Sequence, residues 1–473
     1  MTPLDLFIIA TYLIAMFAWA MYIGRRETAD GFFVFSRKAP FFLVLFSIVS
    51  TWVGVGTTVA TAASGYETGI SLGATAVAGG IVGALAAAWF APFLKRFGDR
   101  FRAYTLGDFF VARYSPRAGR ISGAAVLVVY LLMTAAQFVG LAALVDIWTG
   151  IEFESIVFFA AISTIIYTAF AGIKSDFYTD FVHFLVMFVV LFLVLLPIVL
   201  RTDGGVSILS TLPSDSFDIF AYGGVSFFIA GLIFGAGSVF VTMELWQRIY
   251  AASSERAARY ALGASIGIIV LFYAVSTFFG LMARVLLPDL GNSDQALFML
   301  MNTYLPVGLL GVGVAAFMAI FISSLNSTLM VSAATLTKDF YKGLYNRTAG
   351  DRTLLGVGRI MTAVAGGIAM LIAYALPDFV SLSVNSIFML LVLLPAVIGG
   401  FFWKQATERA AFFSVLSGLV TVVAFLFLDH ETAFVPGFVV SLFVFVLISK
   451  TSQHNRSENL EIVEFSAEKP NAR

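Results

Sequence analysis

Residues 47–66 read SIVSTWVGVGTTVATAASGY and residues 226–246 read SFFIAGLIFGAGSVFVTMELW. Each stretch is apolar enough to lie in a bilayer, and each carries glycines near its middle: Gly54 and Gly56 in the first, Gly231, Gly235 and Gly237 in the second. They lie about 185 residues apart, and the same offset carries 121–145 onto 305–337; paired, glycine-interrupted spans in two halves of a chain point to an inverted-repeat transporter with unwound backbone at the membrane midplane. Glycines that only let neighbouring helices approach closely leave the same trace, so both readings stay open here.

The composition fixes the solvent. Of 473 residues 60% are hydrophobic and 12% charged, with fifty Phe and six Trp, whereas a soluble domain is about half apolar and roughly 25% charged. A globular interior could not hide this much apolar side chain, so the bilayer must take it. A net charge of zero and the lack of a basic tract leave no nucleic-acid footprint. With no Cys, disulfides and thiol chemistry are excluded, and three scattered His do not make a metal or haem site.

Thirteen stretches are long enough to cross a hydrocarbon core of about 30 Å: 5–24, 39–65, 70–94, 121–145, 155–173, 177–200, 223–247, 259–283, 305–337, 358–377, 379–403, 409–428 and 433–449. The first is preceded by MTPLD, without positive charge or a following cleavage site, and reads as a retained helix rather than a signal peptide. With that helix starting outside, all of the 28 Lys and Arg except Arg201 and Arg284 fall in inside loops or the tail. The expected protein is therefore an all-α, multi-pass plasma-membrane protein with its N-terminus outside and its C-terminus in the cytoplasm. Residues 1–449 form one transmembrane domain, and 450–473 a short polar cytoplasmic tail.

Polar residues inside the membrane carry the chemistry, because each costs free energy unless it meets a partner or a cavity. FMAIFISSLNSTLMVSAATLTKD (317–339) is the densest case: Ser323, Asn326 and Ser327 share a helical face, with Ser324 at its edge. Neutral oxygens of this kind can replace the water shell of sodium without burying several carboxylates. A small-residue packing stripe, its hydroxyls bonded back to the preceding turn, is the competing reading. AGIKSDFYTDFVHF (171–184) places Asp176 and Asp180 one turn apart. Asp176 reads as a helix N-terminal acid, Asp180 as a deeper charge facing a cation, and His183 as a polar residue near the interface. Glu244 and Arg248 are spaced for an ion pair with a structural or gating role.

These residues resemble the sodium:solute symporter family along nearly the whole chain, through SGYETG (64–69), AGIKSDFYTD (171–180), WQRIYAA (246–252) and ISSLNSTLMVSAATLTKDFY (322–341). The resemblance implies a leucine-transporter-type fold of five plus five inverted helices with broken helices 1 and 6. Its parts would be an extra helix at 5–24, repeat one at 39–200, repeat two at 223–403, and accessory helices at 409–449. It implies a coupling sodium ion on the carbonyls of Ser50, Val53 and Ile320 and the hydroxyls of Ser323 and Ser324. Some members hold a second sodium at positions corresponding to Asp180, Ser323, Asn326 and Ser327, where Asn326 replaces a hydroxyl. Solute is expected beside the first break, among Trp52, Gly54, Thr57, Gln137, Phe234 and Asn385. STWVGVGTT (50–58) is similar to the choline branch around its tryptophan, but Thr242 stands where that branch has an aromatic, so a cage for a quaternary ammonium is incomplete. The sugar branch's polar cluster is missing as well, and Trp52 fits equally a packing residue that closes the central cavity.

The implied activity is sodium-coupled secondary active symport of a small organic solute, with no cofactor beyond the coupling ion and no obligate protein partner. Two alternatives share the fold: a proton-coupled transporter, expected to carry an ionisable group where Ser323 and Ser324 stand, and a non-transporting membrane sensor. No nucleophile–base pair, metal cluster or phosphate loop supports an enzyme.

Overall fold

The computed structural model describes residues 1–25, 27–202, 204–376, 389–426, 434–452 and 461–463. Every regular element among them is helical. The first half comprises α1 (Pro3–Gly24), α2 (Ala29–Val34), α3 (Phe41–Trp52), α4 (Thr61–Thr68), α5 (Ser71–Phe101), α6 (Leu106–Arg113), α7 (Pro116–Thr149), α8 (Phe153–Phe188) and α9 (Leu196–Leu200). The second comprises α10 (Gly224–Ser238), α11 (Met243–Ala251), α12 (Glu255–Leu286), α13 (Ala296–Tyr304), α14 (Leu309–Thr335), α15 (Asp351–Ala375), α16 (Leu394–Phe402), α17 (Glu408–Leu426) and α18 (Phe434–Thr451).

Among the described residues nine helices are long and apolar enough to cross a membrane, and two bent pairs raise the number to eleven. Helix continues from Phe153 to Leu200, 48 residues in all, or about 72 Å at the rise of an α-helix, more than twice a hydrocarbon core. Gly172 divides it, with φ 65° and ψ 177° inside α8, so the run makes two crossings, as the stretches 155–173 and 177–200 suggest. Only glycine suits this corner: φ is positive, and a Cβ would come within 2.6 Å of the Phe32 ring. The stretch 379–403 lies partly outside the described residues, and its described part includes the apolar helix Leu390–Phe402.

Both glycine-bearing stretches are bent, by 59° between α3 and the helical run Gly56–Thr68 and by 41° between α10 and α11. The first break lies at Gly54, as the sequence suggests. The second lies at Val239–Thr242, beyond the glycines expected to make it. Gly231 and Gly235 serve packing instead: a Cβ on Gly231 would strike the Thr75 side chain and one on Gly235 the backbone of Gly79, across the contact of α10 with α5.

α14 is the central helix, with 76% of its apolar window buried, whereas α1 is peripheral with 11% buried. α14 packs on α7, α8, α15 and α1 and is crossed by α3. Ion pairs tie together segments expected on one side: Lys174 with Glu27 (2.7 Å), Arg96 with Glu255 (3.4 Å) and Arg100 with Glu461 in the tail, while Lys95 pairs with Asp99 (2.8 Å) one turn along α5. The opposite face joins Arg284 to Ser216 and the Glu67 carbonyl, each at 3.3 Å, and Ser293 to the Glu67 carboxylate (2.6 Å).

Candidate cation and solute site

A helix that stops inside a protein leaves its last carbonyls without main-chain donors. α3 ends at Trp52: the Val53 amide still closes the last turn onto Val49 (2.7 Å), while the freed carbonyls of Thr51 and Trp52 accept side-chain hydroxyls, from Ser324 (3.5 Å) and Thr57 (2.6 Å). Ser50 is fully buried, and its hydroxyl donates to Ser323 of α14 at 3.1 Å. The end of α3 and the hydroxyl face of α14 therefore meet. Gly54 makes the approach possible, since a Cβ there would lie 3.2 Å from Ser324 Oγ. Val53 is buried at the bend, and Ile320 lies one turn before Ser324 on α14.

Beside this junction sits a charged cluster. Asp180 is fully buried, accepting from Ser323 (2.5 Å) and Ser47 (2.6 Å). Arg248, 1% exposed, reaches in from α11 and pairs with Asp180 (3.3 Å) and Asp176 (3.5 Å). Its guanidinium also donates to Ser47 (3.0 Å), Ser327 (2.8 Å), the Glu244 carbonyl (3.2 Å) and the Thr51 hydroxyl. Ser327 donates in turn to Asp176 at 3.4 Å. Asn326 accepts from Thr168 of α8 (3.0 Å). Asp176 Oδ1 has no hydrogen-bond partner in the structure.

The geometry corrects the expected Glu244–Arg248 pair and adds burial to two other readings. Asp176 is more than a helix N-terminal acid: the helix restarts after Gly172, which puts Asp176 about one turn in, but it is 4% exposed and faces Arg248. The Glu244 and Arg248 side chains do not form their expected i, i+4 pair, because Arg248 turns to the two aspartates and Glu244 Oε2 keeps no hydrogen-bond partner. His183 is buried inside the protein, 1% exposed, its Nδ1 2.5 Å from the Tyr12 hydroxyl of α1.

The expected solute residues are only partly gathered. Trp52 is half-buried against a small void bounded by Ala84, Ala87 and Leu262, and Thr57 is buried. Gln137 on α7 is half-buried with Oε1 lacking a hydrogen-bond partner, and Phe234 on α10 is half-buried. Asn385 lies outside the described residues. Spacing gave no hint of Tyr130 on α7, whose buried hydroxyl accepts the first two amides of α11, from Met243 (2.8 Å) and Glu244 (3.3 Å), and so fixes the inner edge of the second break.

Residues 32–418 match the profile of the sodium:solute symporter family. The chain belongs to that family. Among curated relatives, the symporter is 24% identical to the sodium/pantothenate symporter of Escherichia coli, over 93% of this chain and 95% of that one. It is also 24% identical to the sodium/glucose cotransporter of Vibrio parahaemolyticus, over 95% and 90% of the two chains. With the sodium/proline symporter of Salmonella typhimurium it shares 26% identity over 74% and 73%. Of solved structures, a sodium-coupled sialic acid symporter in a substrate-bound outward-open state superposes with a TM-score of 0.83 at 19% identity, covering 96% of this chain and 99% of that one. A nucleobase-cation-symport-1 family transporter in a closed conformation gives 0.63 at 14% identity, covering 92% and 98%. At these identities the likeness shows the fold, which is of the leucine-transporter type. The symporter is thus a multi-pass membrane transporter and not an enzyme.

Proposed function

We propose that the symporter couples sodium moving down its gradient to the uptake of a small organic solute across the plasma membrane by alternating access, with its N-terminus outside and its C-terminus in the cytoplasm. One observation carries the site assignment: the broken end of α3 meets the Ser323 and Ser324 hydroxyls of α14. Sodium is held by the carbonyls of Ser50, Val53 and Ile320 and by the two hydroxyls. Binding there favours the conformation whose solute site, walled by Trp52, Gly54, Thr57, Gln137 and Phe234, binds better, and by reciprocity solute tightens sodium. Asn385 belongs to the same proposed wall.

A second cation is held at Asp180, Asn326 and Ser327, to which Asp176 is added. Two buried carboxylates face one guanidinium, which leaves one uncompensated negative charge when both are ionised. An unbalanced charge at this depth is costly, and one monovalent cation removes it. Proton coupling is the second reading, favoured by the contact of Asp180 with Ser323, which sets an ionisable group directly beside the proposed sodium ligands. Uptake of radiolabelled pantothenate, proline, glucose and sialic acid into proteoliposomes, driven by a sodium gradient or by a pH gradient, separates the two. Uptake that follows only the pH gradient overturns sodium coupling.

A further inference from the structure

A cavity of about 450 Å³ lies away from both broken spans, between α1, α7, α8 and α14. That size is within the range of small-molecule sites, about 300–1,000 Å³, and such sites combine apolar walls with a few placed polar groups. Its walls are apolar, formed by Phe17, Val145, Phe159 and Met318 among others. Buried side chains with polar groups also line it: Thr164 and Tyr167, together with Asn326 (2% exposed) and His183 (1% exposed). Asn326 and His183 each have one end fixed: Asn326 Oδ1 accepts from Thr168 while Nδ2, which lies toward the Asp176 carboxylate, completes no hydrogen bond, and His183 Nδ1 meets Tyr12 while Nε2 has no partner. Unpaired polar atoms this deep are costly unless something supplies their hydrogen bonds.

We propose that this cavity binds an uncharged, mainly apolar molecule that enters from the bilayer and presents a hydrogen-bond-accepting oxygen to Asn326 Nδ2. Entry from the bilayer follows from the exposed Phe159 and Ser163 at the cavity's edge, both on the outward face of α8. The lining contains no acidic or basic side chain apart from His183. A charged ligand would be desolvated without a counter-charge. An anion would in addition face Asp176, which lies beside Asn326. Asn326 also belongs to the proposed second cation site, but the labelling below is read without an ion gradient.

The test is photolabelling of the full-length protein in vesicles with 3-azioctanol, an uncharged alcohol, followed by peptide mapping. Saturable labelling on α1, α8 and α14 around the cavity, displaced by n-octanol, is expected. Asn326→Leu keeps the apolar wall but loses the donor, and it should weaken apparent affinity about fivefold, as for one neutral hydrogen bond. Ala160→Phe fills the cavity and should abolish the saturable labelling; Ser163→Phe, at the exposed mouth, does the same if the first variant fails to fold. Unsaturable labelling spread over lipid-facing positions such as Ile14 and Phe443, or unchanged affinity in both the Asn326 and the filling variant, overturns the proposal.

Discussion

At the residue scale, the cluster of Asp176, Asp180 and Arg248 makes the sharpest demands. Removing either carboxylate by Asp176→Asn or Asp180→Asn leaves one acid against one guanidinium, so the need for a balancing cation disappears. Both variants should lower the sodium-to-solute ratio and the Hill coefficient for sodium; values equal to wild type in the same vesicles contradict the second cation site. Arg248→Met strands two buried carboxylates and should cost about 3–5 kcal/mol of stability, the scale of breaking a buried ion pair. Adding Asp176→Asn to it should recover part of that loss in a thermal melt. The burial of Asp180 was legible because an uninterrupted apolar run follows it, and that of the hydroxyls because helical spacing puts Ser323 and Ser327 on one face with Ser324 at its edge. The partners of Arg248 were not legible. Spacing offers only the local acid Glu244, whereas the real partner Asp180 lies 68 residues away and comes within reach of the long Arg248 side chain because α8 and α11 both pack on α3.

At the element scale, glycines announced two breaks but located only one. A glycine can serve a bend or a close contact, and composition does not distinguish the two. Gly56 meets nothing within 4 Å of a built Cβ, while one on Gly235 would collide with the Gly79 backbone. Gly56→Ala should therefore melt close to wild type, and Gly235→Ala should lose about 1–3 kcal/mol, the cost of overpacking, by forcing α10 from α5. Asp5 gives a second test at this scale. It completes a capping box with Thr2 at the start of α1 and also accepts the amides of Gly308 (2.8 Å) and Gly311 (3.0 Å) at the start of α14. Asp5→Ala removes both caps, and a lowered melting temperature by about 1–3 kcal/mol equivalent is expected, more than for an exposed cap.

For the whole molecule, hydropathy and charge were enough to set the class, because a bilayer span must be long, apolar and internally hydrogen-bonded. The corner at Gly172 and the depth of Arg248 needed the third dimension, and Arg248 turns out to belong to the bundle rather than to a loop charge. Which of the two faces lies inside is a proposal from charge asymmetry. Since the chain has no Cys, Ser210→Cys introduces a single thiol at an exposed position; an impermeant maleimide should modify it from outside cells, and modification only from the cytoplasmic side contradicts the proposed orientation. Sodium occupancy itself decides the central claim. Binding of radioactive sodium to the purified symporter should be saturable, and Ser323→Ala and Ser324→Ala should each weaken it roughly tenfold or more, since losing one of about five oxygens costs on the order of 1–3 kcal/mol. Unchanged sodium affinity in both folded variants would show that the hydroxyl face of α14 only packs.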